Sequence, residues 1–299
     1  MSDFLEKPGF DAGERLVIVH VDDIGMCQST LSAFAELWDR GAVSSGSVMT
    51  PCPWFPAVAE WYNRHLEADL GVHITLTSEW STYRWGPVTA AVQADNLMDS
   101  SQRYFHATRA AVCQRADTGA VSREMRGQLA LARRFGLRPS HIDSHMLTCL
   151  QPRFLPDFLR LALANRLPAL VTRACLRQLD DAAEDLWERH LGEVGLPVFE
   201  QFVVVKRCLT TQAYNAALKT IVGSLPVGLS CILLHPAKDS PELRATVDNW
   251  KHRVVEYEAL LQKKLWCYAR EAGVKIVNYQ QLFQPRSGVE GASVSGLER

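Results

Sequence analysis

The sequence predicts an α/β protein built as a single, distorted (β/α) TIM-like barrel, and three observations carry that expectation. Short apolar runs rich in β-branched residues alternate along the chain with amphipathic helical segments. Polar, metal-capable side chains stand at or near the ends of several of those runs, where α/β folds assemble their sites. With 299 residues, 47% of them hydrophobic, the chain can bury a barrel-sized core, although length alone fits two smaller domains equally well.

The first strand is the apolar run 16–21, which ends in Asp22 and Asp23. A helix over 29–40 follows, with Leu31, Phe34, Ala35, Leu37 and Trp38 on its apolar face and Gly41 as its stop. Residues 43–49 give a second strand, 53–65 a second helix and 70–76 a third strand. Later strands are expected at 141–145, 169–173, 202–206, 230–234 and 275–279. Helices fit between them at 122–135, 153–164 and 211–222, with a long one over 246–272. The catalytic domain is expected to span 1–284, and the Gly-, Ser- and charge-rich stretch 285–299 to be a mobile tail.

A formal net charge of −1 without strong basic clustering argues against nucleic-acid or anionic-membrane partners. No run is long enough to span a bilayer, and the opening residues lack an apolar signal core, so the cytoplasm is the expected location. Eight cysteines are scattered without a Cys-x-x-Cys pair and read as reduced core residues.

Adjacent carboxylates at Asp22-Asp23 repel, and that repulsion is eased if a cation binds one or if one stays protonated. Alone, the pair reads sooner as a turn with solvated carboxylates. Three later segments change the balance. His73 stands inside the strand-like run Leu70 to Thr77; His141, Asp143 and His145 alternate, and so share one face if their segment is a strand; His235-Pro236 ends another apolar run. Asp with two His suits zinc, manganese, cobalt, nickel or iron, with magnesium possible if waters complete the shell. One divalent ion is therefore the expected cofactor.

In ordered combination these motifs resemble the YdjC/ChbG-type carbohydrate deacetylases over roughly residues 15–283. The family's Asn-Ala-Asp-Asp-Phe-Gly is matched by His20 to Gly25, and its Gly-Leu-His-Leu-Asn-Leu-Thr by Gly71 to Thr77. His-Ile-Asp-Ser-His stands intact at His141 to His145, and the late His-Pro at His235-Pro236. The resemblance implies that Asp23, His73 and His145 bind the metal, Asp22 is the general base, and His235 is the general acid or an oxyanion partner. It places His141 and Asp143 behind the ligands and makes a homodimer reasonable. The implied reaction is removal of an N-acetyl group from a small amino sugar or glycoside by a metal-activated water. Two alternatives stand beside it: a related amide or ester hydrolase on a non-sugar substrate, and a silent sugar-binding barrel.

The chain departs from the pattern where further histidines usually follow, reading Met146-Leu147-Thr148-Cys149, and where His20-Val21 replaces Asn-Ala. The first departure bears on substrate identity, the second on the surroundings of the base. The aromatic loop 78–87 offers Trp80, Tyr83 and Trp85 as sugar-stacking candidates, or as rings packing the loop onto the barrel. Arg173, at the end of an expected strand, is a candidate for polar substrate groups or for a structural salt bridge.

Overall fold

A curled sheet of seven parallel strands organises the protein in the computed structural model, which describes residues 13–90, 95–179 and 181–283. The stretch 285–299, expected to be a tail, lies outside the described residues. The strands are β1 (Arg15–Ile24), β2 (Ser45–Val48), β3 (Leu70–Ile74), β4 (Ile142–Ser144), β5 (Gln201–Val204), β6 (Gly228–Leu234) and β7 (Val274–Val277). Their order is β4-β3-β2-β1-β6-β5, with β7 also on β1.

β1 is the centre of the sheet because both of its faces are apolar and covered: Leu16, Val17, Ile18, Val19 and Val21 are all 0% exposed. β6 pairs with Arg15 to Val21. Arg15 to Ile18 also pairs with β7 and His20 to Ile24 with β2, so those two strands share the other edge of β1. Between β4 and β5 the barrel closes irregularly. The extended stretch 168–172 makes single parallel bridges, Ile142 to Ala169 and Thr172 to Phe199, in place of the full strand expected at 169–173. The strand fails there because Thr172 caps a short helix that begins at Arg173, its side chain accepting from Cys175 N.

Helices α1 (Gln28–Asp39), α2 (Phe55–Tyr62), α3 (Arg109–Arg115), α4 (Thr118–Arg134), α5 (Leu155–Asn165) and α6 (Arg173–Leu176) accompany the first half of the barrel. The second half carries α7 (Asp181–Glu193), α8 (Thr211–Ser224), α9 (Pro241–Thr246), α10 (Trp250–Leu261), α11 (Lys264–Glu271) and α12 (Tyr279–Leu282). The long helix expected over 246–272 is thus broken. Val247 is extended, with φ −120° and ψ 111°, and Lys263 is left-handed at φ 55°. A straight helix of that length would run about 40 Å. The break lets α10 and α11 both lie on α8 while α11 also covers β7.

One glycine is dictated by the interior. A Cβ on Gly71 would meet His141 Nε2 at 2.4 Å, and the opposite face of that imidazole stacks on Tyr279 with centroids 3.7 Å apart. The ring has no room to retreat, so only glycine fits.

Candidate metal centre

Regular strands send neighbouring side chains to opposite faces, yet Asp22 and Asp23 both reach one site. The pairing of β1 with β2 shifts register between Val21 and Ile24, and Asp23 adopts φ 62°. Aspartate tolerates that left-handed backbone better than most residues. A similar device acts after β4, where His145 heads a tight 3-10 turn and Met146 and Leu147 have φ of 53° and 54°. β4 covers only Ile142–Ser144, so His145 lies just past its end, yet Asp143 and His145 both meet His73, at Nδ1 and Nε2 respectively. His141, Asp143 and His145 are all buried, and His145 also reaches Asp23.

Three atoms converge. Asp23 Oδ1 lies 3.0 Å from His145 Nδ1 and 3.4 Å from His73 Nε2, and the two nitrogens are 3.3 Å apart. The two longer spacings match the edges, about 3.3 to 3.4 Å, of a tetrahedron whose ligands sit at about 2.0 to 2.1 Å from zinc, and the Asp23–His145 edge at 3.0 Å is shorter. All three residues are at most 4% exposed, and Asp23 Oδ1 is buried without a hydrogen-bond partner. A buried carboxylate oxygen without a donor, facing two imidazole nitrogens, fits a cation.

The outer nitrogens of both rings are tied off, which fixes which nitrogen faces inward. His73 Nδ1 sits 2.9 Å from Asp143 Oδ1, and His145 Nε2 sits 3.0 and 3.1 Å from the two oxygens of Glu79. Each carboxylate can hold an N–H on the outer nitrogen, so a cation that displaces the inner protons would find lone pairs on His73 Nε2 and His145 Nδ1. Asp143 is itself held by Ser47, whose hydroxyl donates to Oδ2 at 2.8 Å. Asp23 Oδ2 accepts from Arg253 Nη2 at 2.7 Å.

Electrostatics follow this wiring. Burial opposes the charged form of Asp23, but Arg253 and then His145 outweigh it and hold its carboxyl well below the usual range. Burial likewise opposes the charged form of His145, and Glu79 and Asp23 overcome it to raise the imidazole to about 9. Asp143 is held well below the usual carboxylate range against its burial, by His73 and His20. His141 has the opposite balance: desolvation, helped by His20, depresses its pKa well below the ordinary value.

Asp22 and His235 flank the cluster. Asp22 Oδ2 is 3.4 Å from His235 Nε2, and Asp22 Oδ1 is 3.2 Å from His20 Nε2. His235 is the last residue before Pro236 ends the β6 run, and its side chain is 28% exposed, opening toward solvent. Desolvation lowers its pKa, leaving the imidazole neutral at rest. Its backbone N–H donates to Glu256 Oε2 at 2.6 Å, and Tyr214 donates to Glu256 Oε1 at 2.5 Å. Arg253 and Glu256 are one helical turn apart on α10, so one helix braces both the ligand Asp23 and the flanking His235.

Residues 16–270 match the family model of YdjC-like proteins. The chain belongs to the YdjC-like family. A carbohydrate deacetylase of Thermus thermophilus is 31% identical over 270 residues, covering 86% of this chain and 90% of that protein. A chitooligosaccharide deacetylase of Yersinia enterocolitica is 26% identical over 162 residues, 54% of this chain and 60% of that protein. Among solved structures, a protein of Enterococcus faecalis with a provisional name for cellobiose-phosphate cleavage superposes with a TM-score of 0.74. It is 22% identical and covers 91% of this chain and 100% of its own, so the fold is shared.

In this YdjC-like chain the aromatic loop divides. Trp85 is 3% exposed, donates from Nε1 to Thr77 O at 2.8 Å and meets the His145 ring edge-on at 6.4 Å, so it packs the loop rather than offering a free face. Tyr83 and Trp80 are partly buried against the same core, and Tyr83 donates to Met26 O at 2.7 Å. Arg173 is engaged by Glu188 and lies 3.7 Å from Glu200, the salt-bridge role of its two readings. Sequence reasoning passed over Glu79, Ser47, Arg253 and Glu256. Glu79 stands in a loop, and α10 turns His252, Arg253 and Glu256 inward beside Ala259 and Leu260, so much of its buried face is polar and reads as solvated in the sequence. Among the described residues no helix is long and apolar enough to cross a membrane.

Proposed function

We propose that the protein is a metal-dependent hydrolase that removes an acetyl group from the nitrogen of an amino sugar, oligosaccharide or glycoside. The observation that carries this reading is the convergence of Asp23 Oδ1, His73 Nε2 and His145 Nδ1, flanked by Asp22 and His235. Two other buried groupings, His20 with His141 and Asp143, and Asp22 with His73 and Asp143, are less suited to a cation. Both share Asp143, whose oxygens are already engaged by His73 Nδ1 at 2.9 Å, His20 Nε2 at 3.1 Å and the Ser47 hydroxyl at 2.8 Å.

A divalent cation held by Asp23, His73 and His145 supplies Lewis acidity, polarising an acyl oxygen and making a water more acidic. The remaining steps belong to side chains. Asp22 takes a proton from the water as its oxygen adds to the acyl carbon. His235 Nε2, 3.4 Å from Asp22 Oδ2, receives that proton and delivers it to the amine nitrogen as the C–N bond breaks. Acetic acid and the free amine leave, the remaining water proton passing between them to give acetate and an ammonium group, and both side chains are restored. Asp143 and Glu79 keep the two ligand rings in the tautomers this requires.

The deacetylase names of the relatives support acetyl removal from a carbohydrate. The test is acetate release from a panel of N-acetylglucosamine monomers and short oligomers, alongside non-sugar acetamides and acetate esters, with zinc or magnesium added to chelator-stripped protein. Metal-dependent release from the sugars supports the assignment. Turnover confined to non-sugar amides or esters moves it to the related hydrolases, and sugar binding with no turnover on any substrate moves it to a silent barrel.

A further inference from the structure

His20 is fully buried inside the barrel and belongs to neither the ligand set nor the flanking pair. Both ring nitrogens face oxygen. Nδ1 is 3.3 Å from Ser45 Oγ, and Ser45 donates its own proton to Asp69 Oδ1 at 2.7 Å. A hydroxyl that has given its proton away can only accept, so Nδ1 must carry an N–H. At the other end Nε2 is 3.1 Å from Asp143 Oδ2, 3.2 Å from Ser47 Oγ and 3.2 Å from Asp22 Oδ1. Ser47 has likewise given its proton to Asp143. Every oxygen around Nε2 is an acceptor, so that nitrogen carries a proton as well. The hydrogen-bond accounting therefore leaves an imidazolium. Asp22 Oδ1 is buried with no hydrogen bond of its own, and His20 is its close cationic neighbour.

We infer that His20 is a buried imidazolium that acts as a positioning residue for Asp22: lodged between Asp22 and Asp143, it keeps the two carboxylates from repelling and leaves Asp22 Oδ2 turned toward His235. It thereby ties the base to the Asp143–His73 arm of the metal centre. Burial alone would lower the imidazole pKa, but Asp143 and Asp22 reverse this and raise it to about 9, in keeping with the geometry. The inference rests on Asp22 serving as the base in the proposed reaction, and its first readout is independent of turnover.

That readout is the 15N spectrum of the His20 side chain in histidine-labelled, zinc-loaded full-length protein at neutral pH, assigned by loss of the signals in His20→Gln. Two protonated ring nitrogens are expected, and a ring with one bare nitrogen would overturn the inference. The second readout is kinetic. His20→Ala should lower kcat by roughly 10- to 100-fold while KM and the zinc dissociation constant stay within about threefold, the scale set by loss of an outer-shell partner. His20→Gln, which keeps an N–H donor without the charge, should recover only part of kcat. An unchanged kcat in His20→Ala, or a loss of zinc affinity that parallels the loss of kcat, would contradict a role directed at the base. Wild-type protein that releases no acetate from any substrate would instead defeat the proposed function, and the spectrum would still decide the state of His20.

Discussion

Removing the carboxylate behind His145 should weaken metal binding while leaving all three ligands in place. Glu79 presents both oxygens to His145 Nε2, at 3.0 and 3.1 Å, so the N–H there is shared with a charged acceptor. Charge-assisted hydrogen bonds contribute about 1.5 to 3 kcal/mol against about 0.5 to 1.5 for neutral ones. Glu79→Gln keeps an acceptor and loses the charge, a difference of about 1 to 1.5 kcal/mol, which is roughly 5- to 10-fold in an equilibrium constant. Glu79→Ala loses the acceptor as well and should approach about 100-fold, the upper end for outer-shell partners. The side chain of Glu79 is 17% exposed, so solvent screens the effect only in part. The assay is a zinc titration against a competing chelating dye at neutral pH. Both variants binding zinc within about threefold of wild type would refute the idea that Glu79 fixes the ligating nitrogen of His145.

Arg253→Met leaves Asp23 Oδ2 buried without its guanidinium, a change expected to destabilise the metal-free protein by about 3 to 5 kcal/mol and the zinc-saturated protein by less. Urea unfolding with and without zinc measures both, and a change below about 1 kcal/mol in the metal-free protein would contradict the pairing. Glu256 gives a pH signature. Burial raises its pKa from 4.5 to about 7, so between those values the folded protein holds a proton that the unfolded chain has lost. The stability this group contributes is full below its unfolded pKa and is lost as the pH rises through its folded one. Glu256→Gln should therefore flatten the fall in urea midpoint across that window, and parallel curves for the two proteins would show that Glu256 does not titrate there.

The strand ends were readable because each joins a β-branched apolar run to a polar side chain, as at Val21-Asp22 and Leu234-His235. The alternation of those runs with amphipathic segments was enough for the barrel, and the fold shared with the Enterococcus faecalis structure agrees. What the sequence did not reveal is the backbone that delivers the side chains. The φ of 62° at Asp23 and the turn after Ser144 depend on register with neighbouring strands, which has no local signal. The braces were hidden for a related reason. Arg253 reaches Asp23 across 230 positions, and an inward polar face on α10 looks like a solvated one until the barrel is assembled around it. The helix expected over 246–272 breaks at the extended Val247 and the left-handed Lys263, neither of them a glycine or proline that would mark a stop in the sequence.

The division of labour between Asp23 and Asp22 is tested most directly by one paired measurement on Asp22→Asn: zinc stoichiometry and affinity, together with kcat for acetate release from an N-acetylated sugar. Asp23, His73 and His145 are unchanged in that variant, so it should bind one zinc ion with near wild-type affinity while kcat falls by about 100-fold or more, the contribution of a positioned base. Full turnover in Asp22→Asn, or loss of zinc together with activity, would contradict the assignment of metal holding to one carboxylate and proton transfer to the other.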